Sequence, residues 1–160
     1  MTNYIVRKGV AEDINAVFML VQELARYENA LAEIMNTPEQ LLKDGFGERA
    51  YFEFFIAETV DKEAVGMILY YYSYSTWKGK SLYIDDLVVK ETHRRQGIGT
   101  LLFNALIAEA ALQQVGKLHW QVLDWNEPAI RFYKQLGATL DPEWVNCKLS
   151  KTQLQTYLSN

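Results

Sequence analysis

Apolar side chains recur every three or four positions in the N-terminal part of the chain, at Ile14, Val17, Phe18, Val21, Leu24 and Ala25. This period places them on one face of a helix, which is expected to end near Tyr27. A short strand, Tyr4 to Lys8, precedes that helix. A second helix is predicted to begin at Thr37, because Thr37 can cap it, Pro38 suits the first helical position and Gln40 can complete a capping box.

Three runs rich in aromatic and branched residues follow, at residues 51–60, 64–75 and 81–90. Such runs are typical of β-strands. A short polar segment, Asp61 to Glu63, separates the first two runs, and a turn at Lys78 to Lys80 separates the last two. The pattern therefore predicts an antiparallel meander.

The C-terminal half alternates between helix and strand signals. Residues 100–113 have the composition of a helix, and residues 117–125 and 144–149 predict two strands. Asn126 to Pro128 are expected to cap and begin a further helix, which ends at Gly137 because glycine is the usual residue after a helix C-terminus.

A short C-terminal helix is predicted after Ser150, which can form a capping box with Gln153. The predicted order of elements is β-α-α-β-β-β-α-β-α-β-α, an α/β (α+β) fold class with a mixed sheet and helices on its faces. No internal repeat and no Pro/Gly/Ser-rich linker interrupts the chain, so residues 1–160 are expected to form a single domain.

Composition narrows the class of protein. The 160 residues carry a net charge of −4 and are 49% apolar, which fits a globular protein and speaks against a general nucleic-acid binder. No long apolar run predicts a membrane span, and the first residues lack a secretion signal. Cys147 is the only cysteine, so a cytoplasmic, reducing location is expected, with Cys147 buried and not a nucleophile. Because histidines are few and isolated, no metal site is expected.

A glycine-containing loop, Arg94 to Thr100, lies between a predicted strand and a predicted helix. A helix N-terminus can bind phosphate through its free N–H groups, glycine lets a ligand approach the backbone, and Arg94 and Arg95 add positive charge. No lysine follows Gly99, which excludes a P-loop, and Leu102 stands where a dinucleotide-binding motif needs its third glycine. The loop alone fits either a plain strand-to-helix turn or a pyrophosphate site.

A family resemblance rests on this loop and on four further stretches. Arg94-Arg95-Gln96-Gly97-Ile98-Gly99 resembles the acetyl-CoA pyrophosphate loop of the GNAT N-acetyltransferases, whose pattern is Q/R-x-x-G-x-G/A. Residues 125–138 (WNEPAIRFYKQLGA) resemble that family's later motif. With residues 23–28, 41–48 and 70–89 they resemble the spermidine/spermine N1-acetyltransferase branch, which includes diamine and thialysine acetyltransferases. The resemblance covers nearly the whole chain and implies a GNAT-like, mostly antiparallel central sheet.

The resemblance also implies acetyl-CoA as co-substrate, with no metal, and a set of residues that bind it. These are Leu87, Val88, Val89, Arg94, Arg95, Gln96, Gly97, Ile98, Gly99, Thr100, Asn126, Glu127, Pro128, Ala129 and Tyr133. The backbone of Leu87 to Val89 would pair with the pantetheine arm as an added strand does, and would offer an N–H to the thioester oxygen.

Tyr133 is the candidate that protonates the departing thiolate. The ordinary pKa of a tyrosine, about 10, is not far from that of an alkyl thiol, so proton transfer between them would be nearly balanced. Its place within the later motif favours this catalytic role over that of a core or interface tyrosine.

Asp85 and Asp86 are candidates for receiving a cationic amine and its proton. Adjacent strand residues point to opposite faces, so only one of the two is expected to face the amine. Asp85 matches the position where the branch carries a glutamate, and Tyr27 with Glu28 matches the branch's substrate-binding pair. A carboxylate beside an aromatic ring suits an ammonium group. A carboxylate satisfied by backbone N–H groups or by an arginine is the structural alternative.

These observations predict an enzyme that transfers acetyl directly from acetyl-CoA to a primary amine of a polyamine, a diamine or a lysine-like amino acid. One of the tyrosines between residues 70 and 74 is expected to line the amine pocket. No nucleic-acid or membrane partner is expected, and the resemblance implies a homodimer. Three alternatives stay open: a non-catalytic CoA- or polyamine-sensing module, a nucleotide-binding enzyme that uses the loop for another pyrophosphate, and a protein-lysine acetyltransferase with an open peptide groove.

Overall fold

The computed structural model describes residues 4–158. Its strands and helices are, in chain order, β1 (Ile5–Lys8), α1 (Ile14–Tyr27), α2 (Pro38–Phe46), β2 (Glu53–Glu58), β3 (Ala64–Ser75), β4 (Gly79–Val89), α3 (Ile98–Leu112), β5 (Lys117–His119), α4 (Glu127–Gln135) and α5 (Lys151–Leu158). The chain divides between Gln121 and Val122 into two compact units, each of which is described by itself. The single domain expected from the sequence stays a prediction.

Side chains cap three helices at the residues that the sequence predicts, but the capping box expected at α2 is not completed. The Gln40 side chain bonds Asp44 instead, and the Thr37 N–H donates to the preceding asparagine. At the start of α2, Thr37 Oγ1 accepts a hydrogen bond from the Gln40 N–H at 3.2 Å. At the start of α4, Asn126 Oδ1 accepts from the backbone N–H three residues later at 3.3 Å. Before α5, Ser150 and Gln153 bond each other reciprocally, at 2.8 and 3.3 Å. These bonds pair N–H groups that have no partner within the helix, which is why the helices begin there.

The five strands form one sheet in the order β1-β2-β3-β4-β5. All neighbouring pairs are antiparallel except β4 and β5, which are parallel. The predicted meander of β2, β3 and β4 and the mixed, mostly antiparallel sheet are thereby confirmed.

Helices cover both faces of the sheet. On one face, side chains of α1 and α2 share a buried core with those of β2, β3 and β4: Ile14, Val17, Leu20, Leu41, Phe54, Ile56, Met67, Leu69 and Val88. On the other face, a methyl group added at Gly66 would lie 3.3 Å from the side chains of Ile98 and Leu102 in α3. Glycine at position 66 therefore lets α3 pack closely against β3.

Two strand predictions in the C-terminal half differ from the structure. Within the described residues, β5 covers only Lys117–His119 of the predicted 117–125, because its pairing with β4 ends at Tyr83. Residues 144–149 form no strand, and Cys147, expected to be buried, is exposed. The described part of the second unit contains no other strand, so residues 144–149 have no ladder to join there.

Of the helices within residues 4–158, none combines the length and the apolar character needed to cross a membrane.

Candidate functional site

A β-bulge in β4 decides where the two adjacent carboxylates point. Leu69 of β3 pairs with Asp86, whereas Tyr70 pairs with Ile84, so Asp85 is the extra residue of β4. An extra residue breaks the regular alternation of side chains between the two faces. The expectation that Asp85 and Asp86 point to opposite faces is therefore wrong: both carboxylates line the same cavity.

This cavity has a volume of about 290 Å³ and lies within the first unit. Its walls are mostly apolar and aromatic, with three carboxyl groups and one amide: Phe18, Val21, Ile34, Asn36, Leu41, Asp44, Tyr51, Phe52, Leu69, Tyr71, Asp85 and Asp86. Tyr71 is the member of the tyrosine run whose side chain lines it, whereas Tyr70 is fully buried. Sequence reasoning missed Asp44 and Phe52, because helical and strand periodicity mark a residue as inward-facing without showing whether it meets a core or a cavity.

The electrostatics of the cavity are dominated by carboxyl groups. Burial first, then the charge of Asp85 and then that of Glu28 raise the pKa of Asp86 to about 7. Loss of surrounding water also raises the pKa of Asp85 and of Glu28. A carboxyl group with a pKa near 7 can accept a proton at neutral pH, and a cluster of negative groups attracts a cation. The arrangement suits the binding and deprotonation of an ammonium group.

Tyr27 and Arg94 join the end of α1 to the glycine-containing loop. The guanidinium carbon of Arg94 lies 4.9 Å from the centre of the Tyr27 ring. Arg94 Nε also donates a hydrogen bond to the Val89 carbonyl at 3.1 Å. The cation–π contact that the sequence suggested between Tyr27 and a bound ammonium is thus made, on one face of the ring, by Arg94. Since a guanidinium has five N–H donors, Arg94 retains others for an anion.

The loop before α3 has the backbone of an anion site. Arg95 and Gly97 have left-handed φ values of 60° and 81°. Gly97 is the N-cap of α3, and no atom lies within 4 Å of a methyl group added there. Such a turn at a helix start directs successive N–H groups into one concave space, and that space is open at Gly97. The residues present therefore fit the diphosphate of a coenzyme.

One edge of β4 is available next to this loop. Within residues 4–121, β5 pairs with β4 only at Ser81 to Tyr83. Further along, the Lys90 N–H donates to the Val65 carbonyl of the β3 side at 2.8 Å. Because backbone groups alternate along a strand, those of Leu87 and Val89 point away from β3. The bond from Arg94 to the Val89 carbonyl agrees with this direction. Three other backbone groups, the Leu87 N–H, the Leu87 C=O and the Val89 N–H, therefore face the edge that an added strand would use.

The remaining predicted site residues belong to the second unit. Asn126 caps α4, Glu127 and Pro128 form its first turn, and Tyr133 lies about one and a half turns further along. The rings of Phe132 and Tyr133 are 5.5 Å apart. The roles of Asn126, Glu127, Pro128, Ala129 and Tyr133 in binding or catalysis stay predictions.

Two comparisons with known sequences bear on the function. The family described as acetyltransferase (GNAT) matches residues 18–138. The thialysine N-epsilon-acetyltransferase of Bos taurus is 38% identical over 146 residues, which cover 86% of this chain and 85% of that protein. The human spermidine/spermine N(1)-acetyltransferase-like protein 1 is 34% identical over 144 residues, which cover 86% of this chain and 21% of that protein.

A comparison of structures agrees with these matches. The crystallised tetramutant of the BH1408 protein from Bacillus halodurans superposes with a TM-score of 0.73 and is 27% identical, and the match covers 91% of this chain and 99% of that one.

Proposed function

The chain belongs to the GNAT family of acetyltransferases, and from that premise we propose that it transfers acetyl from acetyl-CoA to a primary amine of a small cationic acceptor: a polyamine, a diamine or a lysine-like amino acid. The observation that carries the acceptor assignment is the bulge in β4, which brings Asp85 and Asp86 to one cavity. The names of the relatives, which include thialysine and spermidine/spermine acetyltransferases, support the same class of acceptor.

The proposed co-substrate is held by backbone groups. Bound acetyl-CoA supplies an acetyl group activated as a thioester. The N–H groups of the loop from Arg94 to Thr100 and the start of α3 would hold its diphosphate, assisted by the positive charge of Arg95 and by the N–H donors that Arg94 retains. The free edge of β4 at Leu87 to Val89 would hold the pantetheine arm, and an N–H there would stabilise negative charge on the thioester oxygen.

The acceptor amine is proposed to bind at the carboxyl cluster. A free aliphatic amine has a pKa near that of lysine, about 10.4, so it arrives as an ammonium and must lose a proton before it can attack. Asp85 and Asp86 act as a coupled pair: their negative charge binds the ammonium, and the pair takes the proton directly or through a water molecule. Glu28 adds negative charge beside Asp86, and Tyr27 holds Arg94 close by.

Tyr133 is proposed to act at the other side of the reaction. Its phenol would give a proton to the departing thiolate sulfur, and the N-terminal turn of α4 at Asn126 to Ala129 would contact the same coenzyme. The support is the position of Tyr133 within the motif shared with the family and the cap that begins α4 where the motif predicts.

Two further parts of the proposal rest on resemblance and composition. Homodimer formation is proposed because the resembled branch implies it. A cytoplasmic location is proposed because the chain holds a single cysteine and so forms no disulfide within itself.

The test is a thiol-release assay with acetyl-CoA across spermidine, spermine, putrescine, lysine, thialysine and aminoglycosides. Turnover with a small cationic amine is expected, together with loss of most activity in Asp85→Asn. Asp61→Asn, an exposed aspartate in the turn after β2, is the matched control and should retain activity. Tight CoA binding with no turnover on any amine would favour a sensing module. Turnover on peptide lysines alone would favour a protein-lysine acetyltransferase.

A further inference from the structure

Tyr4, just before β1, contacts Gln96 of the glycine-containing loop and His93, the residue directly before that loop. Its hydroxyl donates a hydrogen bond to Gln96 Oε1 at 2.7 Å and lies 3.1 Å from His93 Nδ1. The Tyr4 and His93 rings meet edge to face at 5.9 Å. A phenol has one proton, and here Gln96 receives it, so His93 Nδ1 must carry the hydrogen that Tyr4 accepts. Both bonds are satisfied at once.

The two contacted residues lie on either side of a strained position. Arg95 has a left-handed φ of 60°, and it stands between His93 and Gln96 in the sequence. A residue other than glycine keeps this conformation only when its surroundings hold it there. The Tyr4 hydroxyl ties position 93 to position 96 and so closes the chain around Arg95. Without that tie, the loop is free to relax toward conformations in which its N–H groups no longer converge.

A second anchor holds the preceding residue. Arg94 is fixed through its bond to the Val89 carbonyl and its contact with the Tyr27 ring. That anchor acts at the base of the loop, before Arg95. Tyr4 alone among these contacts reaches Gln96, directly before the αL N-cap Gly97. The two anchors therefore restrain opposite sides of the same turn.

We propose that Tyr4 is a positioning residue for the diphosphate of the co-substrate: its hydroxyl holds the loop from His93 to Gly97 in the binding conformation before the coenzyme arrives. The inference rests on the proposed function, since it assumes that this loop binds CoA. The apparent Kd of a ligand rises in inverse proportion to the fraction of protein in the binding conformation. Loss of the Tyr4 hydroxyl lowers that fraction and leaves the chemistry at the thioester unchanged.

The test compares Tyr4→Phe with the unmodified chain and with Tyr74→Phe, a control that removes a hydroxyl from a side chain 78% exposed on β3. Calorimetry with CoA should show binding about three- to tenfold weaker in Tyr4→Phe, the size expected for one or two lost hydrogen bonds. The KM for acetyl-CoA should rise by the same factor, while kcat and the KM for the amine stay constant. With S-acetylpantetheine, which lacks the diphosphate, Tyr4→Phe and the unmodified chain should be equal.

Each outcome decides the question. An unchanged Kd for CoA in Tyr4→Phe overturns the inference, even if the melting temperature falls, because the hydroxyl then serves the fold alone. An equal loss with S-acetylpantetheine overturns it too. If Tyr4→Phe does not fold, His93→Ala, which removes the other hydrogen-bond partner of the Tyr4 hydroxyl and which is not among the proposed coenzyme-binding residues, must show the same dependence on the diphosphate. If the unmodified chain does not bind CoA, the proposed function and this inference both fail. If it does bind CoA, the result for Tyr4→Phe bears on this inference alone.

Discussion

Replacing Asp86 with asparagine should raise the stability of the protein at alkaline pH and abolish most of its activity. The folded protein holds the pKa of this carboxyl at about 7, whereas the ordinary value is 3.8. Between these two values the folded state binds more protons than the unfolded state, so the free energy of unfolding falls as the pH rises through this window. Below this window the carboxyl is protonated in the folded protein and does not lower the free energy of unfolding. Above pH 7 it is ionised, and the full cost of burying its charge lowers the free energy of unfolding.

The gap between the two pKa values sets an upper limit of about 4 kcal/mol on this cost. An asparagine in the same place must also be removed from water, but so must the protonated carboxyl that it replaces, so this cost nearly cancels and does not change with pH. We therefore expect Asp86→Asn to be more stable by up to about 4 kcal/mol at pH 8 and by little at pH 4. Urea unfolding at the two pH values measures the difference. For a chain of this size it corresponds to a melting temperature higher by roughly 2–4 °C per kcal/mol at pH 8.

The activity of the same variant should move in the opposite direction. Loss of a positioned proton acceptor lowers kcat/KM by about 100- to 10,000-fold. Asp85→Asn removes a charge that raises the pKa of Asp86, so its remaining activity should persist to lower pH than that of the unmodified chain. Asp61→Asn is the control for both measurements. If Asp86→Asn is less stable at pH 8, or if its effect on stability is the same at pH 4 and pH 8, the reasoning about this carboxyl is refuted.

Three further substitutions test other parts of the structure. Tyr133→Phe should lower kcat by about 100-fold without weakening CoA binding in calorimetry, and equal kcat values would remove Tyr133 from the chemistry. Gly97→Ala should lower the free energy of unfolding by about 1 kcal/mol in urea and weaken CoA binding, since its φ of 81° disfavours any side chain; unchanged binding would contradict the loop assignment. Arg7→Ala breaks the bonds to Asp13 and Glu58, so unfolding in urea should become easier by about 1–2 kcal/mol, with a smaller effect in high salt. No change would show that this pair of ion bridges is too exposed to stabilise the fold.

The helix starts illustrate what local sequence can predict. Thr37, Asn126 and Ser150 each bond backbone groups within three residues, so the information that places these caps lies in a short stretch of sequence. The strand at residues 144–149 illustrates the limit of the same reasoning. Its alternation of residue types is that of a strand, but a strand also needs a neighbour, and no local pattern specifies one.

The candidate site shows the same division. The glycine-containing loop could be recognised from sequence, because its glycines and arginines are adjacent in the chain. The shared cavity of Asp85 and Asp86 could not, because it depends on a register shift between β3 and β4. Tyr4 is separated along the chain by 89 positions from His93 and by 92 positions from Gln96. No sequence motif signals that these residues come into contact.

The sequence by itself determined the order of most helices and strands, the caps that begin three helices, and the loop whose glycines and arginines suit a diphosphate. The tertiary structure alone decided that two adjacent carboxylates face one cavity, that one of them has a pKa near 7, and that Tyr4 supports the loop. The physical reason is the range of the forces involved. Periodicity and caps depend on neighbours within a few residues, whereas register, burial and charge–charge interaction depend on which distant segments the fold brings together.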